Sequence, residues 1–241
     1  LSSTINKYCY ITTKYSTNLN ESVHKIIWTH IENVYSFKDI LHPAVREGLQ
    51  QLGLDESVPL EIYHSGDLPA RTGIGSSSSF CVGLINSLSN LIKKPLNKMD
   101  LAKKAIQLEQ DILNEKVGSQ DQVAASFGGL NKILFNTDGS IKVEKIGISN
   151  EIISTLNKNI ALYYTGTRIG RNASDVISDM VSSFDSNTLL LEELNSFVDE
   201  GITLLKNSDI PNFGKLLNES WKIKKSLGKE ISNQHIDDIY D

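Results

Sequence analysis

One run of glycines and serines constrains this chain more than any other stretch: Asp67-Leu68-Pro69-Ala70-Arg71-Thr72-Gly73-Ile74-Gly75-Ser76-Ser77-Ser78-Ser79. It follows a β-rich segment, Pro59 to Ser65, and opens a helix predicted from Ser76 to about Ile92. Phe80, Val82, Leu84, Ile85 and Leu88 give that helix a broad apolar surface, so burial is expected. A strand, a glycine turn and a buried helix in succession present a helix N-terminus. Its unpaired N–H groups and partial positive charge suit an anion. Glycines let the backbone approach that anion without a Cβ in the way. Serines at the helix start can cap it, bind phosphate oxygens or ligate Mg²⁺. The run lacks the Gly-Lys-Ser/Thr ending of a Walker A loop and the Gly-X-Ser-X-Gly of a nucleophile elbow. Two readings stand at this point: a phosphate site, or a capped helix after a glycine-rich turn.

The surrounding elements are of mixed type. Strands are predicted from Thr4 to Thr13 and, more weakly, from Lys25 to Ile31. A helix opens at His42-Pro43, with Pro at its first position, and runs to about Leu52 before Gly53. A second helix runs from about Lys98 to Leu113, with Leu101, Ala105, Leu108 and Ile112 on one stripe. Thr137-Asp138-Gly139 between Leu130–Phe135 and Ile141–Ile146 signals a hairpin. Asn159 to Thr165 is a further predicted strand. From Asn172 onward the chain turns mostly helical, with Pro211 separating the last two helices. Strands and helices mix without regular alternation, which argues an α+β fold rather than a doubly wound sheet. The strand-rich part ends near residue 150, where a domain boundary is expected.

Composition removes several function classes. The net charge is −5, which gives no electrostatic reason to expect nucleic acid or a membrane surface as partner. No apolar run approaches the roughly 20 residues needed to span a bilayer. No secretory signal is visible. The two cysteines, Cys9 and Cys81, lie far apart in apolar settings and read as two buried reduced thiols, with an unforced disulfide as the alternative. These features are expected of a cytoplasmic protein. The histidines show no metal-ligand spacing.

If the run binds phosphate for transfer, carboxylates should lie near it to hold metal and to orient or deprotonate the attacking hydroxyl. Glu109 lies on the second helix with Gln107, Gln110 and Asp111, so it also reads as part of a solvated polar face. Asp121, in Gly118-Ser119-Gln120-Asp121-Gln122, also reads as a cap ahead of Val123-Ala124-Ala125. Thr165-Gly166-Thr167-Arg168-Ile169-Gly170-Arg171 joins a predicted strand to a helix. Arg168 and Arg171 there suit a bound anion, or are exposed loop arginines.

Pro69-X-X-X-Gly73-Ile74-Gly75-Ser76-Ser77 resembles the second motif of the GHMP kinases, a family of small-molecule kinases. The longer string from Asp67 to Phe80 is similar to the heptose 7-phosphate kinases within it. Glu109 and the Gly118-to-Gln122 segment match, in order and spacing, a helix glutamate and a Gly-X-X-Asp-Gln-like loop of sugar-1-kinases in that family. The resemblance implies a two-domain fold. Residues 1–150 would be an ATP-binding domain and 151–241 a partial C-terminal domain. It implies ATP and Mg²⁺ as cofactors, with ATP held by Pro69, Ala70, Arg71, Thr72, Gly73, Ile74, Gly75, Ser76, Ser77 and Ser78. Ser77 and Glu109 would ligate the metal, and Asp121 would be the catalytic base. Gly118, Gln120, Thr165, Gly166, Arg168 and Arg171 are the implied contacts to a sugar phosphate. The expected reaction is phosphorylation of the anomeric hydroxyl of D-glycero-D-manno-heptose 7-phosphate. A galactokinase- or fucokinase-like enzyme and a non-catalytic kinase-like binding module are the alternatives. The family's Gly-Gly-Gly-Thr-Asp motif would precede Leu1 and its C-terminal glycine-rich loop would follow Asp241. The resemblance therefore also implies a fragment or a degenerate copy.

Overall fold

A computed structural model describes residues 1–17, 23–69, 72–166, 187–228 and 231–241. The chain divides into two compact units: Thr4–Gly128, and Leu1–Ser3 together with Gly129–Asp241.

The unit Thr4–Gly128 sets helices against one face of a four-stranded sheet. Its strands are β2 (Cys9–Tyr15), β3 (His24–Ile27), β4 (Ile31–Val34) and β5 (Leu60–Gly66), in the order β2-β5-β3-β4. β2 and β5 run antiparallel over seven pairs, Cys9 opposite Gly66 through Tyr15 opposite Leu60. β3 lies parallel to β5 and antiparallel to β4. The parallel pair needs a crossover, and α1 (Pro43–Gln51) lies in it, with Pro in its first turn. The predicted strand from Lys25 to Ile31 is in fact two strands. Trp28 N–H donates to His30 O at 2.9 Å and turns the chain into β4.

α2 (Ser76–Leu91) lies along this sheet. Its apolar side chains are buried: Phe80, Cys81, Val82, Leu84, Ile85 and Leu88 join Ile26, Leu49, Leu60 and Ile62 in one core, while Ser77, Asn86 and Asn90 are exposed. α3 (Lys98–Ile106) follows, capped by the Asn97 side chain on Asp100 N–H. It continues without a break as a π turn, Gln107–Ile112. α4 (Gln120–Phe127) closes the unit and ends at Gly128, whose φ of +68° takes the chain out of the helix.

The other unit pairs β1 (Ser2–Ser3) with β6 (Leu130–Phe135), and β6 with β7 (Ile141–Lys145), all antiparallel. The hairpin turns at the expected place, with Gly139 at φ +80°. Around it lie α5 (Asn150–Asn159), α6 (Thr188–Lys206), α7 (Ile210–Ser226) and α8 (Gln234–Tyr240). Lys132 on β6 pairs with Asp199 on α6. The change from strand-rich to helix-rich sequence near residue 150 falls inside this unit, since the β6–β7 hairpin belongs to it. Among the described residues no helix is long and apolar enough to cross a membrane.

Two strand expectations give way. Thr4–Tyr8 is not strand: Ser2–Ser3 pair with β6 whereas Cys9–Tyr15 pair with β5, so the residues between carry the chain from one sheet to another. Asn159–Thr165 is not strand either. Ser149 caps α5 by accepting from Ile152 N–H, the helix takes Asn159, and residues 160–166 join no ladder among the described residues. Pro211 sits in the first turn of α7 rather than between the last two helices, and α8 follows.

Candidate active site

The glycine-serine run leaves β5 and is held at its start by an exchange with the approach to β2. Tyr8 N–H donates to Asp67 Oδ2 at 2.9 Å and Asp67 N–H to Tyr8 O at 3.0 Å. Thr72 Oγ1 donates to Pro69 O at 3.3 Å. Gly73 and Gly75 take φ of +76° and +72°, a region that residues with a Cβ avoid. Gly75 is the residue that caps α2, and among the described residues no side-chain cap is made to that helix. Its first backbone bond is Ser79 N–H to Gly75 O. The donors and the dipole at this end are therefore left for something else. Ala70 and Arg71 lie outside the described residues.

The serines do not cap the helix. Ser77 and Ser78 both donate to Glu109 Oε1, each at 3.2 Å. Ser77 is exposed, whereas Ser78 is 6% exposed. Glu109 itself is 0% exposed. The solvated polar face open to it in the sequence is thus excluded, and the reason is local. The π turn changes the register of the helix at Glu109: Leu113 N–H reaches back to Leu108 O, and both Leu108 and Glu109 point inward. Burial lifts the Glu109 carboxyl above its ordinary pKa. Bonds from Gln122 and Ser78 pull it down, the charge of Glu115 adds to the rise, and the bond from Ser77 opposes it.

α4 brings the second carboxylate. Asp121 is exposed and lies in the first turn, while Ser119 holds the cap position, so Asp121 is not the cap. Its side chain lies against Gly75. A methyl built on Gly75 would stand 2.9 Å from Asp121 Oδ2 and 3.0 Å from Cγ. The glycine-serine loop, Ser77, Glu109 and Asp121 are therefore one constellation, within one unit. Gly118 and Gln120 are exposed at the start of α4, beside Asp121. Thr165 and Gly166 are exposed and belong to the other unit. Arg168 and Arg171 lie outside the described residues.

One member carries a role that the sequence does not assign. Gln122 is 0% exposed and its Nε2 donates to Glu109 Oε2 at 2.5 Å. Its adjacency to Asp121 is the available signal: neighbours in a helix's first turn face different ways, so one of the pair has to face inward. Gln110 Nε2 donates to Val117 O at 2.8 Å and Ser119 Oγ at 3.1 Å, which fixes the loop before α4.

The donor set suits a hard divalent cation. A buried carboxylate whose hydrogen-bond partners are all neutral stands next to an exposed hydroxyl. Among the described residues no group of three or more His, Cys, Asp or Glu could hold a metal. Two protein ligands accord with Mg²⁺, which keeps water and phosphate oxygens as its others. Cys9 and Cys81 are free thiols, Cys81 buried and Cys9 half-buried.

Comparison with known proteins covers the same residues. Residues 39–129, which span the loop, Glu109 and Asp121, match the family described as the GHMP kinases N terminal domain. The chain is 28% identical over 207 residues to a D-glycero-alpha-D-manno-heptose 7-phosphate kinase of Campylobacter jejuni, covering 85% of this chain and 59% of that protein. It is 31% identical over 134 residues to a galactokinase of Pyrococcus furiosus, covering 54% of this chain and 34% of that protein. The chain thus spans about six-tenths or less of the length of these relatives. A crystal structure of a D-glycero-D-manno-heptose 1-phosphate kinase from Bacteroides thetaiotaomicron superposes with a TM-score of 0.70 at 22% identity, over 92% of this chain and 69% of that one. Loop, buried glutamate and exposed aspartate all sit within the stretch that is similar to the GHMP kinases N terminal domain.

Proposed function

We propose that this chain forms the nucleotide and metal site of an ATP-dependent sugar kinase that phosphorylates the anomeric hydroxyl of D-glycero-D-manno-heptose 7-phosphate. The observation that carries the reading is the convergence of the uncapped α2 N-terminus, Ser77 with buried Glu109, and Asp121 packed against Gly75. The match to the Campylobacter jejuni relative over most of this chain supports the choice of sugar.

In this reading the loop from Pro69 to Ser77 binds the ATP phosphates, its backbone N–H groups meeting their charge. Ser77 and Glu109 would hold Mg²⁺, which would neutralise phosphate charge when bound. Asp121 accepts the proton of the sugar C1 hydroxyl as that oxygen bonds to the γ-phosphorus and the bond to the β-phosphate oxygen breaks. The products are ADP and the 1,7-bisphosphate, with the proton on the Asp121 carboxylate. Ser78 faces inward, onto Glu109, so it supports the metal ligand rather than a phosphate oxygen.

Asp121→Asn tests the assignment. It keeps the size of the side chain and removes the proton acceptor. The expected result is a kcat lower by roughly 10²–10⁴ with ATP affinity preserved. A rate close to that of the unaltered protein would remove Asp121 from the mechanism. The galactokinase relative supports a second substrate reading, an unphosphorylated hexose, which competition between galactose and heptose 7-phosphate separates.

A further inference from the structure

Glu109 is held at both oxygens, from two different helices. Ser78, on α2, donates to Oε1 at 3.2 Å, and Gln122, on α4, donates to Oε2 at 2.5 Å. Both donors are buried, at 6% and 0% exposure. Ser77 also donates to Oε1, but it is exposed and able to turn its hydroxyl outward. The three donors are thus of two kinds, two enclosed and one open.

Gln122 needs a reason to be a glutamine. Its side chain is enclosed beside Val123, itself 0% exposed, and its Oε1 is buried with no hydrogen-bond partner among the described residues. A leucine or methionine would fill the space without stranding an acceptor, and a stranded buried acceptor costs stability. Only a donor suits a carboxylate oxygen, and the amide supplies one at the expense of its own carbonyl. Packing alone does not require that arrangement; orientation of Glu109 does. The same turn of α4 carries Asp121 on its open side, against Gly75. One helical turn therefore fixes both the carboxylate that would hold metal and the one that would take the proton.

We propose that Ser78 and Gln122 are positioning residues that clamp the Glu109 carboxylate in one plane, so that it meets a divalent cation beside Ser77 without reorganising. The inference rests on the kinase reading above. Supporting partners of this kind typically change metal affinity about ten- to hundredfold when removed.

The test uses Mn²⁺ with ATP as the probe, followed by electron paramagnetic resonance on the unaltered chain and on Gln122→Met, Ser78→Ala and Glu109→Gln. ATP binding in the presence of a chelator and the unfolding midpoint are measured beside it. The expected result is Mn²⁺ affinity about ten- to hundredfold weaker in Gln122→Met and in Ser78→Ala, with chelator-treated ATP binding unchanged. In a Glu109→Gln background the same two changes should add nothing further, because they act through that carboxylate. Unchanged Mn²⁺ affinity in both folded single variants overturns the clamp and leaves the kinase reading standing. A further loss in the Glu109→Gln background also overturns it. If Gln122→Met fails to fold, Ser78→Ala decides on its own. Absence of Mn²⁺ binding by the unaltered chain with ATP overturns the kinase reading and the clamp together.

Discussion

Backbone and side-chain demands meet at Gly75. It turns the chain into α2 at φ +72°, and the Asp121 carboxylate fills the place where a Cβ would stand. Gly75→Ala should therefore act twice. The left-handed conformation alone costs a residue with a Cβ about 1–2 kcal/mol, read as a lower unfolding midpoint in urea. The methyl also displaces Asp121, so kcat should fall by more than stability explains; a stable, fully active Gly75→Ala protein would contradict the contact. Individual residues are unevenly legible in the sequence. The positive-φ glycines are expected from the run itself, because few other residues accept that geometry. Glu109 is ambiguous: a glutamate among Gln107, Gln110 and Asp111 looks solvated on an ideal α-helix, and the π turn that buries it leaves no periodic trace. Gln122 is less visible still, since its role exists only when α4 meets Glu109.

Helices are legible where a cap or a breaker marks them. α3, α5, α7 and α8 carry side-chain caps, at Asn97, Ser149, Asp209 and Asn233. Among the described residues α1, α2, α4 and α6 have none, so the element-scale argument for an anion at α2 is the positive-φ glycine that opens it, with the Asp121 carboxylate against that glycine. Strands are misread where pairing rather than propensity decides. Thr4–Tyr8 and Asn159–Thr165 have β-forming side chains, yet neither has a ladder among the described residues to join. The underside of α2 also carries a pH dependence. Phe80 stacks on His42, with centroids 4.7 Å apart, and meets the His64 ring edge-on at 5.0 Å. Burial lowers the pKa of both histidines, as it does for His24, whose Nδ1 accepts from Leu60 N–H. A lowered pKa means the folded state binds fewer protons. The stabilisation is complete above the ordinary value of 6.5 and is lost as pH falls from there through the lowered values. Glu109 and Glu115, whose pKa values burial raises, act in the opposite sense. Urea unfolding should give a lower midpoint at about pH 5.5 than at about pH 7.5, and His42→Phe should shrink the difference. An equal difference in that variant would clear His42 of the effect.

At the scale of the whole molecule, the expectation of an α+β fold of GHMP-kinase type stands on the superposition over nearly all of this chain. The constellation lies wholly within the unit Thr4–Gly128, and the residues matched to the family N-terminal domain include it. Substrate choice is another matter, because the implied sugar contacts Thr165 and Gly166 lie in the other unit and Arg168 and Arg171 lie outside the described residues. The most direct test of the account is ADP formation from ATP and Mg²⁺. It should be followed in this chain and in a version extended to the length of its relatives, with heptose 7-phosphate, galactose, fucose or mevalonate as acceptor. The account predicts Mg²⁺-dependent turnover by the extended protein with heptose 7-phosphate and little with the others, abolished by Glu109→Gln. Mg²⁺-independent turnover, or ATP binding with no turnover on any acceptor, would contradict it and leave a kinase-like fold that binds nucleotide without transferring phosphate.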